Sequence, residues 1–228
     1  MTDKLTGAAA RQYVAEAIRH ALRSGDLAPG QRLVENDLAE SYGSTRSAVR
    51  EALQDLVAED VVEIIPRRGA RVRVVSVDEA VQITECRSAL EQLCASKAAT
   101  GANEEQRAEL RRIGEEMKQA VEANEVHTYS GLNQRLHELV VEASGQQVAK
   151  RQLERLNGPM VRFQFRLALR PGRPGQSLPQ HLDIINAVVD ADPAEAARAA
   201  AAHLDSVIEQ IRSTAATSPV PGVRARTA

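Results

Sequence analysis

Apolar residues in the first part of the chain recur at helical spacing. Val14, Ile18, Ala21 and Leu22 share one face of residues 13–24, and Gly25 ends that stretch. After the turn Asp26-Leu27-Ala28-Pro29-Gly30, a second short helix is predicted over 35–42, burying Leu38, Ala39 and Tyr42 and stopping at Gly43. A third follows at once. Ser44 or Thr45 can cap its free N–H groups, and Val49, Leu53, Leu56 and Val57 make a buried stripe towards residue 59. The pattern then changes. Two β-branched runs, 61–65 and 71–75, flank Pro66-Arg67-Arg68-Gly69, the composition of a hairpin whose turn depends on Gly.

Three helices followed by a two-stranded ribbon is the order of a winged helix-turn-helix, expected over 1–75. From residue 76 the periodicity belongs to long amphipathic helices. Ser76-Val77-Asp78-Glu79 opens one to about 100, Asn103 another to about 123, and a third spans 126–144 before Gly145. A fourth runs from 147 towards 169 with a kink expected at Gly158-Pro159. Arg170-Pro171-Gly172-Arg173-Pro174-Gly175 reads as a loop, followed by helices over 178–190 and, capped by Asp192, over 193–214. The fold class is therefore mainly α: an N-terminal winged helix-turn-helix, an all-α antiparallel helical bundle over 76–214, and a tail over 215–228 expected to be disordered.

Composition narrows the picture. There is no Trp, and only three Tyr and two Phe, so the core must be built from Ala, Leu, Val and Ile. The net charge is −2, and residues 1–75 hold 11 Lys/Arg against 11 Asp/Glu, so any affinity of that half for DNA must come from clustered arginines rather than bulk charge. Cys86 and Cys94 have no metal-ligand spacing and read as core thiols of a reducing compartment. No run of eighteen apolar residues and no apolar stretch behind a basic start occurs, which leads to the expectation of a cytoplasmic protein without membrane contact.

Candidate chemistry in the first domain lies in Ser44-Thr45-Arg46-Ser47-Ala48-Val49-Arg50-Glu51-Ala52-Leu53. Arg46 and Arg50, four apart, project opposite the Val49/Leu53 stripe from the helix that would enter a major groove. An arginine fork can grip guanine or a phosphate bidentately, and Thr45 and Ser47 can donate to phosphates beside the helix N-terminus. Arg67, Arg68, Arg71 and Arg73, with Gly69 at the tip, would let the hairpin lie on the minor groove or backbone, although Arg71 and Arg73 are equally explained as an edge kept charged against aggregation. Pro29-Gly30-Gln31-Arg32-Leu33, Leu38-Ala39-Glu40, the Thr45–Leu53 segment and Arg68-Gly69-Ala70-Arg71-Val72 together resemble the GntR family of bacterial regulators. The resemblance implies a homodimer on a palindromic operator in double-stranded DNA. It places Thr45, Arg46, Ser47 and Arg50 on the recognition helix, Asn36 on the preceding helix and Gly69 in the wing. Ser44-Thr45-Arg46-Ser47-Ala48 departs from the family's common Val-Ser-Arg-Thr-Pro, and Asn36 stands where a basic residue can occur, differences that bear on which operator is read.

Four of the five histidines fall in the second domain. Asn133 and His137 lie four apart on one helix, and His181 and His203 lie on two others. Around a common cavity, three imidazoles and an amide oxygen could converge on a divalent metal such as Zn or Ni, though isolated helical histidines are more often packed or solvated. Residues 132–137, Gln180-His181, Ala202-His203-Leu204, and Arg87 within Glu85-Cys86-Arg87-Ser88-Ala89-Leu90-Glu91 resemble the FadR-type ligand-binding (FCD) domain. That resemblance implies a site of one acidic residue and three His, its shell completed by a small organic acid effector. Here the acidic position is Asn133, a neutral and weaker ligand. Arg87 becomes the candidate clamp for the effector carboxylate, with pairing to Glu91 as its alternative.

The function expected is a ligand-responsive DNA-binding regulator, a repressor in the favoured version. A second version makes the metal itself the signal. A helical-bundle metalloenzyme is the rival of another class. No histidine has Glu three residues before it, and there is no H-E-x-x-H, Ser-His-Asp order or glycine-rich phosphate loop, so no enzymatic role is expected.

Overall fold

In the computed structural model, which describes residues 6–168, 170 and 172–217, the chain divides into two compact units. The first comprises Met1–Ser76 together with Arg151–Arg166, and the second Val77–Lys150 with Leu167–Ala228.

The first unit opens with α1 (Gly7–Ser24), which begins six residues before the expected start and ends at Gly25, whose φ of 88° only glycine adopts readily. Strand β1 (Arg32–Leu33), α2 (Glu35–Ser41) and α3 (Arg46–Ala58) follow, then β2 (Val62–Ile65) and β3 (Gly69–Val72). Thr45 caps α3, its hydroxyl oxygen accepting from the Ala48 N–H at 3.3 Å. The two-stranded ribbon is a three-stranded antiparallel sheet in the order β1-β3-β2, with Arg32 opposite Arg71 and Val62 opposite Val72. β1 has only two residues, too few for alternation to register. β3 starts at Gly69, two residues earlier than expected, because the turn closes within Pro66-Arg67-Arg68: Arg68 N–H donates to Ile65 C=O at 2.9 Å, and Arg67 itself takes a φ of 64°. The core gathers the predicted stripes, with Val14, Ile18, Val49, Leu53 and Leu56 packed beside Val62, Ala70 and Val72.

The second unit is all-helical: α4 (Val77–Gly101), α5 (Glu104–Glu122), α6 (Val126–Ala143), α8 (Arg173–Val189) and α9 (Pro193–Thr217). α7 (Gln147–Ala168) stays helical through Pro159, and its middle belongs to the first unit. α5 starts with a complete capping box between Asn103 and Gln106. Asp192 accepts from the N–H groups of Ala194 and Glu195 at the start of α9. α4 packs along α9 through Ala95, Ala98 and Ala99 against Ala196, Ala199 and Ala200, small side chains that let the two backbones approach.

Three expectations need correction. α8 starts at Arg173 rather than 178, because Pro174 sits in its first turn, where the missing N–H removes no helical hydrogen bond. α9 continues to Thr217, so the expected tail begins no earlier than residue 218, and 218–228 lie outside the described residues. Cys94 is buried but Cys86 is exposed: eight residues overshoot two helical turns by about 80°, enough to turn Cys86 out of the core. Among the described residues no helix is long and apolar enough to cross a membrane.

Candidate functional site

The buried stripe of α4 is apolar at its ends and polar in its middle, where Thr84, Arg87, Ser88 and Glu91 are all buried. Burying a guanidinium and a carboxylate requires that they meet each other. Arg87 donates to Glu91 Oε1 from both Nε and Nη2, at 3.1 and 2.7 Å, and Glu91 Oε2 lies 3.2 Å from His137 Nδ1 on α6. Burial alone would push the Glu91 carboxyl up, but Arg87 and His137 outweigh it and hold it at about 2. Glu91 is thus an anion at any ordinary pH, able only to accept.

His137, His181 and His203 each offer a ligand-capable atom, and these atoms lie within 4.8 Å of one another. The rings are mutually close, with centroids 4.5 Å apart for His181 and His203, 5.3 Å for His137 and His203 and 5.6 Å for His137 and His181. Burial, then the neighbouring positive groups, drives His181 and His203 well below the usual histidine range, so both are neutral near pH 7. A neutral imidazole has one N–H and one lone pair, and its neighbours decide which nitrogen carries which.

The neighbours settle all three rings the same way. Ser177 Oγ donates to the Arg173 carbonyl at 3.0 Å, and a carbonyl can only accept. Ser177 must then accept from Tyr129 Oη, 2.8 Å away, and Tyr129 Oη must accept from His181 Nδ1, also at 2.8 Å. The lone pair of His181 is left on Nε2, a fully buried atom that has no hydrogen-bond partner among the described residues. Glu91 likewise requires the proton of His137 on Nδ1, and Gln180 Oε1, 3.3 Å from His203 Nδ1, does the same for that ring. With Nδ1 of each ring facing an oxygen, the Nε2 atoms are the ones left for a common centre. Such a donor set fits a divalent borderline metal, with the Nδ1–H groups tied to the oxygen partners that orient ligating histidines. Asn133 stands one helical turn before His137 on α6 and is half-buried.

Tyr129 and Ser177 escaped the sequence reading. Glu91 entered it only as the alternative partner of Arg87, and that pairing is the one the structure holds. Tyr129 had no local signal, since its partners are 48 and 52 residues away. Replacing Tyr129 by Phe should release the His181 tautomer and weaken zinc binding by roughly 10- to 100-fold, measured by competition with a chromophoric chelator. Unchanged affinity would mean that the hydroxyl chain does not set the ring.

On the first unit, Asn36, Arg46, Ser47, Arg50, Arg67, Arg68 and Gly69 are exposed and Thr45 half-buried. Arg50 makes a two-pronged ion pair with Glu35 of α2 at 2.9 and 2.8 Å, and Arg46 reaches the same carboxylate at 3.9 Å. Ser47 donates to Glu51 at 3.3 Å. Arg71 and Arg73 are paired with Glu63 and Asp60. Arg67 and Arg68, at the tip, have no acidic partner among the described residues, which leaves the wing's uncompensated charge there.

Residues 10–72 match the pattern of the bacterial regulatory proteins of the gntR family, and residues 82–206, more than half of the chain, match the FCD domain. The chain belongs to the GntR family, with an FCD domain. This GntR-family regulator is 27% identical over 186 residues to the HTH-type transcriptional repressor RspR of Escherichia coli (strain K12), covering 82% of each chain. It is 29% identical over 140 residues to the regulator McbR of the same organism, covering 61% of this chain and 63% of that one. Its fold matches the solved structure of E. coli McbR/YncC at a TM-score of 0.78, with 22% identity over 92% of this chain and 100% of the other. A putative GntR regulator from Rhodococcus sp. RHA1 gives 0.72, with 20% identity over 90% of this chain and 99% of that one. In this GntR regulator, His137, His181, His203, Glu91 and Arg87 all fall inside the matched FCD segment, and Arg46, Arg50, Arg67 and Arg68 inside the matched gntR segment.

Proposed function

We propose that this transcriptional regulator is a homodimeric repressor whose FCD domain holds a divalent metal and answers to a small organic acid. The observation that carries the reading is the convergence of three imidazoles from three helices, two of them kept neutral by burial, with His181 Nε2 buried and without a hydrogen-bond partner among the described residues. A buried orphan nitrogen costs stability unless something occupies it in the working protein. His137, His181 and His203 would hold zinc or nickel, with Asn133 as a weak fourth contact, and the metal would supply a positive centre for an acid's carboxylate. The repressor assignment follows the name of RspR.

In the DNA-bound dimer, Thr45, Arg46, Ser47 and Arg50 would face a major groove, joined by Asn36, while Arg67, Arg68 and Gly69 meet the backbone or minor groove. Acid binding in the helical unit would change the separation of the two recognition helices and weaken their simultaneous contact with a palindrome. Titrating a wild-type-selected DNA fragment with metal alone, and then with acids, tests the scheme. Release is expected only in the presence of an acid; release by metal alone would instead make the metal the signal.

A further inference from the structure

Glycine and proline are the poorest residues for a helix interior, yet α7 runs unbroken through Gly158 and Pro159. Crowding explains the glycine. A Cβ at residue 158 would stand 2.5 Å from the carbonyl oxygen of Glu59 and 3.3 Å from Val61 Cγ2, and the nearer obstacle is backbone, which cannot swing aside. Gly158 and Glu59 both belong to the first unit. Glu59 is the C-cap of α3, the proposed recognition helix. The corner beyond it closes with Asp60 N–H donating to Val57 C=O at 3.0 Å and Val61 N–H to Leu56 C=O at 2.9 Å, with Asp60 at a φ of 60°, a conformation glycine usually fills. Two further elements are fastened here. The Glu59 carboxylate accepts from Arg19 Nε of α1 at 3.0 Å. Arg73, just past β3, pairs through Nε with Asp60 at 3.0 Å and donates its backbone N–H to Val61 C=O at 3.1 Å.

Glu59-Asp60-Val61 thus joins the C-terminal end of α3 to the exit of the wing, and the middle of α7 lies against it. We propose that α7 buttresses this corner and that Gly158 is a positioning residue for DNA binding: it lets α7 seat on Glu59 and so sets the angle at which α3 and the wing meet DNA together. α3 has 13 residues, about 20 Å of helix, so a pivot of roughly 10° at Glu59 carries Arg46 by about 3 Å. A bidentate hydrogen bond does not survive such a shift. Residues 147–150 and 167–168, the two ends of the same helix, belong to the second unit, so a displacement of α7 there reaches both DNA-contacting elements at one corner. The assignment rests on the recognition-helix reading above.

The test compares full-length wild type, Gly158→Ala and Arg50→Ala on two DNA fragments, one selected by the wild type and one unrelated. Fluorescence anisotropy at fixed salt reads the affinity, and circular dichroism checks the fold. Gly158→Ala should bind the selected fragment roughly tenfold or more weakly and the unrelated one within about twofold of wild type, because non-specific binding follows charge rather than the placement of base contacts. A merely structural defect lowers the folded fraction and weakens both equally. Equal losses on the two fragments, or none, overturn the buttress. Should Arg50→Ala weaken binding and Gly158→Ala not, the buttress fails alone; should neither do so, the recognition-helix reading fails and takes the buttress with it. If Gly158→Ala does not fold, hydrogen exchange on the wild type decides. The amides of 155–158 should exchange more slowly with the selected fragment bound than with the unrelated one, and identical exchange overturns the proposal.

Discussion

Arg50→Ala should weaken binding to a DNA fragment selected by the wild-type protein by roughly 5- to 150-fold, about 1–3 kcal/mol. The loss should be greatest where one base position has been changed by selection towards guanine, and a fluorescence anisotropy titration at fixed salt would measure it. The ion pair with Glu35 gives this prediction a partner of opposite sign. Glu35 is pulled below the usual carboxylate range first by its hydrogen bonds to Arg50, and so stays negative on the face proposed to meet phosphate. Glu35→Gln removes that charge and frees the guanidinium, so affinity for unrelated DNA should rise while the preference for the selected fragment falls. If Arg50→Ala bound the selected fragment as well as wild type, the recognition helix would be wrongly placed.

His203→Ala should abolish stoichiometric zinc. Loss of an outer hydrogen-bond partner of a ligating histidine costs roughly 10- to 100-fold in affinity, and losing one of three imidazoles outright should exceed that range. Elemental analysis of purified protein, with circular dichroism as the check on folding, decides the matter. Undiminished metal in a folded His203→Ala variant would dismiss the three-histidine centre altogether. His203 is the cleanest of the three positions for this purpose. His137 also supports Glu91, and His181 terminates the hydroxyl chain from Tyr129, so their removal disturbs other buried groups.

The winged unit was legible because its structure is local. Gly25 and Gly43 punctuate helices, Thr45 caps the next one, and β-branched residues flank a Gly turn, all within a few residues of the features they determine. The exception, β1, is two residues paired with a strand nearly forty positions later. In the helical unit the positions of the histidines could be read from spacing, but their meaning could not. What marks them as a candidate site is the set of long-range oxygens on Nδ1: Glu91 from α4, Tyr129 from α6 and Gln180 from α8. The start of α8 was hidden for a different reason. Arg173-Pro174-Gly175 has the composition of a loop, and only the tolerance of a first helical turn for proline makes it the start of α8.

The hydroxyl chain also has an optical consequence. With no tryptophan in the sequence, near-ultraviolet absorbance and emission come mainly from Tyr13, Tyr42 and Tyr129, and only Tyr129 belongs to the helical unit. Its oxygen accepts from His181 Nδ1–H, so an electrophile drawing on the far side of that ring makes the N–H a stronger donor and perturbs the phenol spectrum. The protein carries its own unlabelled chromophore for site occupancy, readable in a cuvette without DNA.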